Sequence, residues 1–132
     1  LREILKLNHI KYIGKSQLFK PPYGFIFRAL GGYPVYRKHN NNLVSEVVDI
    51  FNSKTKFAIG LAPEGTRKKV DRIKTGFYYI AKQTHIPIVL IGLDYSDKKV
   101  KIEEPFFPGN NIKTDFKRII GFFSSCKGKH PE

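Results

Sequence analysis

Methionine and tryptophan are absent from this 132-residue chain, cysteine occurs once, and acids are scarce, with 11 Asp and Glu against 24 Lys and Arg. The single cysteine, Cys126, excludes an internal disulfide framework and a multi-cysteine metal site, and it points to a reducing compartment. No apolar run approaches the ~18 residues of a membrane-spanning helix. The densest stretch, Ile86 to Leu93, is interrupted by Pro87 and Gly92. Without methionine the chain opens at Leu1, and the expectation is that a further segment of the gene precedes it. What is present suffices for a core: 41% of the residues are hydrophobic and 14% aromatic, which argues against wholesale disorder. The length fits a single domain, 1–132.

The net charge of +13 is unevenly spread. Residues 1–82 hold 16 Lys or Arg against five acids, whereas residues 83–132 hold eight against six. The densest knot is Arg67, Lys68, Lys69, Arg72 and Lys74, with only Asp71 among them. Such a field recruits polyanions, whether nucleic acid, an anionic membrane surface or phosphorylated small molecules, and charge alone does not choose between them. A solvated lysine-rich surface is the plain alternative for the scattered lysines.

Apolar periodicity predicts helices over 1–7, 23–30, 43–52, 75–84 and 115–123. Short strands are predicted over 11–14, 33–36, 57–61 and 87–93, with an edge strand around Val100 and Ile102. Pro21-Pro22 precedes the second helix, and Gly31-Gly32 ends it. Strands alternating with helices predict an α/β fold, with a mixed, largely parallel central sheet flanked by helices. Strands 57–61 and 87–93 are expected at its centre, adjacent and parallel, with helix 75–84 crossing between them.

Two arginines stand where such a sheet binds ligands. Ala62-Pro63-Glu64-Gly65-Thr66-Arg67 follows a buried-type strand, so its polar groups emerge at the strand's carboxyl end. Pro63 stops the strand and Gly65 permits a tight turn, which gathers Glu64, Thr66 and Arg67 in a small volume. A guanidinium there suits a phosphate, which it grips with two parallel hydrogen bonds. Gly31-Gly32-Tyr33-Pro34-Val35-Tyr36-Arg37 repeats the theme of glycine turn, short strand and arginine. Arg37 and Arg67 are candidates to meet on one phosphate. Taken singly, each has a structural alternative, as a solvated strand end or an ordinary turn.

GGYPVYR, APEGTR and IPIVLIG, in this order and spacing, resemble the second, third and fourth sequence blocks of the glycerolipid acyltransferases, which include the bacterial 1-acyl-glycerol-3-phosphate (lysophosphatidic acid) acyltransferases. The likeness extends to Lys15-Ser16-Gln17-Leu18-Phe19 upstream and to Lys74-x-Gly76 downstream. It implies transfer of a fatty acyl group from a thioester, acyl-CoA or acyl carrier protein, to a glycerophosphate hydroxyl, with no other cofactor and no metal. It implies that Arg37, Arg67 and Lys74 bind the acceptor phosphate and that Gly32, Glu64, Gly65 and Thr66 line the acceptor pocket. It further implies a His-x-x-x-x-Asp motif, which should lie upstream of Lys15. None of the four histidines qualifies, since Gly14, Val44 and Leu90 stand five residues after His9, His39 and His85, and His130 is too near the end. The catalytic pair is therefore expected upstream of Leu1, and residues 1–132 are expected to bind without turning over. Leu90 replaces a second proline of the fourth block, and Lys68 a serine that often follows the arginine.

The implied partners are a lysophospholipid, the thioester donor and an anionic membrane surface, at the cytoplasmic face and peripheral to it. Phe25, Ile26, Phe27 and Leu30, with Tyr23 just before them, are the residues expected to dip into the interface, with core packing as the alternative, above all for Phe27 and Leu30. A basic nucleic-acid-binding module, with aromatics stacking on bases, is the rival reading. It is disfavoured because the aromatics fall mainly in apolar helical stripes and no nucleic-acid motif is present. An inactive relative of the acyltransferases is the other alternative.

Overall fold

A computed structural model describes residues 10–35, 43–63 and 73–128. Its contacts divide the chain into two compact units, Leu1–Ile80 and Ala81–Glu132. The helix expected over 1–7 lies outside the described residues.

The first unit is built on three short parallel strands, β1 (Ile10–Lys15), β2 (Gly32–Val35) and β3 (Ala58–Gly60), in the order β2-β1-β3. Tyr12 lies opposite both Gly32 of β2 and Gly60 of β3, so side chains alternate to two faces in a common register. One face presents Ile13, Val35 and Ile59. Helix α2 (Leu43–Asn52) covers it, with Val44, Val47 and Phe51 one turn apart, and Ile80 of helix α3 (Gly76–Thr84) joins that core. The other face presents Gly14 and Gly32, over which a 3-10 turn (Ser16–Phe19) and helix α1 (Gly24–Ala29) are laid. The approach is close enough to require glycine. A β-carbon on Gly32 would lie 2.7 Å from both the Phe19 ring and the Phe27 carbonyl oxygen, and one on Gly24 would collide with the Phe19 backbone. Tyr12 donates its hydroxyl to the Phe27 carbonyl at 3.2 Å and pins α1 to the sheet.

The second unit pairs β4 (Ile91–Asp94) with β5 (Lys99–Ile102) in an antiparallel hairpin, with helix α4 (Ile112–Ser124) against it. Gly92 makes room for Phe122 and Cys126. Asn111 caps α4 by accepting from the Lys113 and Thr114 amides, which starts the helix three residues before the sequence pattern places it. The end of α3 falls in this unit. There the Ile86 amide reaches the Ala81 carbonyl at 3.1 Å around His85, which takes the left-handed conformation usually left to glycine (φ 53°).

The α/β class with a parallel sheet and flanking helices is present, but the strand pairing differs from expectation. Strand 57–61 lies beside β1, not beside 87–93. The segment 87–93 belongs to another sheet and pairs backwards, against residues that follow it: Ile88 bridges Phe106, the Glu103 amide reaches the Leu90 carbonyl at 3.0 Å, and β4 meets β5. The reason is local. The Asp94 carboxylate accepts from the Ser96 hydroxyl and from the Ser96 and Asp97 amides, which reverses the chain at once, and a hairpin closes a far shorter loop than a crossover does.

Candidate functional site

Because β1, β2 and β3 are parallel, all three carboxyl ends open on one edge of the sheet. From β1 the chain passes to α1 on one face. From β3 it passes to α3, whose Ile80 packs on the other. Neighbouring strands whose connections leave to opposite faces create a crevice between them, the usual ligand position in open α/β sheets. That crevice lies at the carboxyl ends of β1 and β3, with β2 about 10 Å from β3 across two strand spacings.

Two of the sequence-predicted residues have described positions near or along these strands. Lys74 is exposed, and its amide donates to the Pro63 carbonyl at 3.0 Å. Pro63 and Lys74, which flank Glu64, Gly65, Thr66 and Arg67 in the sequence, are therefore neighbours between β3 and α3. Those four residues and Arg37 lie outside the described residues. Gly32 stands at the amino end of β2, three residues before the strand's carboxyl end, and serves the close packing of Phe19 and Phe27. His85, the one described histidine, is the exposed residue after α3.

The sequence reading missed a second concavity. Lys11, Arg28, Gly32, Tyr33 and Pro34 line an open groove of about 410 Å³ along edge strand β2. Its two cations are 17 positions apart, and only the parallel pairing of β1 with β2 joins them, so no local motif announces it. In the second unit, Asp94 is buried and accepts a 2.8 Å ion pair from Lys101, whose ammonium also donates to the Ser125 carbonyl at 2.6 Å. The Lys101 hydrogen bond, then that of Ser96, holds the Asp94 carboxyl well below the usual carboxylate range, and Asp94 in turn raises the lysine. Arg118 lies over the Phe106 ring, 4.6 Å from its centre, and pairs with Glu103 at 3.0 Å. Lys101 thus joins the two strands through Asp94 and the hairpin to the end of α4 through Ser125, and Arg118 ties α4 to the segment after β5.

Among the described residues, no three His, Cys, Asp or Glu side chains gather as a metal would need, and no helix is long and apolar enough to cross a membrane. A family model described as Acyltransferase matches residues 2–94, a span that includes Arg37, Arg67 and all three strands of the first sheet. No curated protein and no solved structure matches the chain.

Proposed function

Since the chain belongs to the Acyltransferase family, acyl transfer is its general activity, and we propose that it handles a lysophosphatidic acid-type acceptor and a fatty acyl thioester, acyl-CoA or acyl carrier protein, in phospholipid synthesis. The observation that carries this reading is the common edge of β1, β2 and β3. Two strands, followed by an arginine two residues on in one case and seven in the other, end on the same side of one sheet. The Lys74 amide is bonded to Pro63, three residues before Thr66 and four before Arg67. Arg37 and Arg67, with Lys74, bind the acceptor phosphate. Glu64, Gly65 and Thr66 line the pocket for its glycerol, with Gly32 further along β2.

In the reaction the acceptor hydroxyl loses its proton to a general base as its oxygen attacks the thioester carbonyl. The carbon–sulfur bond then breaks, and the thiol leaves with a proton. General-base help of this kind contributes ~10²–10⁴ in rate. The base is the histidine of a His-x-x-x-x-Asp motif that we place before Leu1. Glu64 beside Arg67 is a poor substitute, because a neighbouring guanidinium favours the ionised carboxylate. The full-length protein therefore releases thiol from an acyl thioester in the presence of lysophosphatidic acid, and residues 1–132 alone do not. Arg67→Ala in the full-length protein weakens acceptor binding by about 1.5–3 kcal/mol, the range for a hydrogen bond to a charged group. Equal rates for the two proteins would move the base into this chain, and an unaltered acceptor Michaelis constant and turnover in Arg67→Ala would remove the phosphate assignment.

A further inference from the structure

The groove along β2 is set back from the edge on which the three strands end. Lys11 and Gly32 stand near the amino ends of β1 and β2, and Arg28 lies in the last turn of α1, just ahead of β2. At about 3.3 Å per residue, Lys11 is roughly 13 Å from the last residue of β1. A phosphate bound at the strand ends does not reach it. Arg28 is exposed, with its guanidinium over the Phe19 ring, 6.0 Å from the centre. Tyr33 is half-buried and meets the Phe57 ring edge-on at 5.8 Å. Neither Lys11 nor Arg28 forms an ion pair among the described residues, and the chain holds no Asp or Glu from Ile4 to Ser45. The backbone adds to the lining, because β2 is the edge of its sheet. The Gly31 carbonyl accepts from the Tyr12 amide at 3.1 Å, so the alternation of a parallel ladder turns the Gly32 amide and carbonyl, and the Pro34 carbonyl, away from β1. Pro34 offers no amide there, which keeps a further strand from pairing along this edge. Two cations, a phenol and an open strand edge thus surround about 410 Å³, a volume of small-molecule size.

We propose that this groove binds the nucleotide end of the thioester donor, the phosphorylated adenosine of coenzyme A. Lys11 and Arg28 hold its phosphates, Arg28 through two parallel hydrogen bonds. The strand edge at Gly32 and Pro34, with Tyr33 beside it, meets the base, whose own edge carries both donors and acceptors. Coenzyme A bears its phosphates and its thioester at opposite ends of a long flexible arm. A handle anchored beside the amino end of β2 therefore lets the thioester lie at the strand ends, about one strand length away. A lysophosphatidic acid headgroup has no such reach, since its phosphate is only a few bonds from the hydroxyl that reacts. That separation assigns the groove to the donor. The proposal rests on the reading above in taking a thioester as donor, and it goes further by choosing coenzyme A over acyl carrier protein and by naming the residues. Binding of coenzyme A needs neither acceptor nor general base, so either reading can fail while the other stands.

The test is calorimetric titration of the 132-residue chain. Coenzyme A is expected to bind, ADP to bind more weakly and compete with it, and pantetheine, the arm without phosphates, not to bind. Arg28→Gln and Lys11→Gln should each weaken coenzyme A binding by roughly tenfold to a hundredfold, the range for one hydrogen bond to a charged group, and leave titration with glycerol 3-phosphate unchanged. Neither side chain is buried, so unchanged urea midpoints are expected, and they separate lost binding from lost folding. No binding of coenzyme A, or binding that both variants leave intact, would overturn the proposal. So would inorganic phosphate or glycerol 3-phosphate that displaces coenzyme A as well as ADP does, which would make the groove a general anion site. Thiol release by the full-length protein from acyl carrier protein but not from acyl-CoA would overturn it while the acyl-transfer reading stands. Release from neither donor, with coenzyme A bound and both variants impaired, would do the reverse.

Discussion

The two units solve the burial of a small sheet in different ways. The first sets three parallel strands between helices, so both faces are covered and the layers meet over glycine: Gly14 and Gly32 lie under Phe19, and Gly24 rests on the Phe19 backbone. The second has a single antiparallel hairpin on one helix, held by a buried carboxylate–lysine pair, with Ile91, Leu93, Val100 and Ile102 exposed on its outer face. Charge follows the same division. Residues 1–80 carry a surplus of ten cations and residues 81–132 a surplus of three. In the second unit Asp94 and Glu103 are matched by Lys101 and Arg118, whereas the stretch 4–45 of the first contains no acid at all. The contrast teaches where each unit is rigid for its own sake and where its chemistry looks outward. In the second, one ion pair joins the two strands and another ties the segment after β5 to α4, while in the first the three strands end together on one edge of the sheet.

The comparison can be broken at several points. Ile119 has no exposed surface, so Ile119→Ala should cost about 2–5 kcal/mol, through lost transfer energy and the cavity left behind. A loss below about 1 kcal/mol by urea titration would mean that α4 is not the core of the second unit. In the first unit, Gly24→Ala places a methyl group on the Phe19 backbone, and overpacking of that kind costs about 1–3 kcal/mol. An undiminished urea midpoint would show that α1 and the 3-10 turn are not in close contact there.

The Asp94–Lys101 pair sharpens the contrast through pH. The folded carboxyl titrates below its unfolded value, so its stabilisation is complete above about pH 4 and is lost as pH falls through the folded pKa. Lys101 is raised, so its own contribution persists through neutral pH and fades only in the alkaline range. Asp94→Asn should flatten the fall in stability below about pH 4, and an acid profile identical to wild type would remove the pair from its structural role. The smallest effect is expected at His85. A non-glycine residue in the left-handed region costs about 1–2 kcal/mol. Since glycine also loosens the unfolded chain, His85→Gly should raise stability by about 1 kcal/mol or less. A lower thermal midpoint would show that the imidazole does more than end α3.

Much of this could be read in the residues. Val44, Val47 and Phe51 recur at helical spacing and do line one side of α2. The turn at Gly31 does separate α1 from β2, whereas β3 ends at Gly60, three residues before Pro63. The family blocks, GGYPVYR and APEGTR, were legible as ordered motifs before any strand was placed, and the family match spans them. The partner of 87–93 was not legible, because its apolar run suits a buried strand of either sense, and the choice was made by the Asp94 turn that directly follows it. Leu30, read as either an interface or a core residue, is exposed, and it is Phe27 whose carbonyl meets the sheet at Tyr12 and Gly32.

By itself the sequence determined the class of fold, the order of its elements, the family and the two strand-end arginines, since periodicity, turn residues and motifs are properties of neighbours along the chain. Only the tertiary structure decided that β1 lies between β2 and β3, that their carboxyl ends share one edge, and that Lys11 and Arg28 line one groove. The physical reason is that strand pairing joins residues distant in sequence through backbone hydrogen bonds, which any residue but proline can donate. Side-chain pattern therefore marks a strand without naming its neighbour.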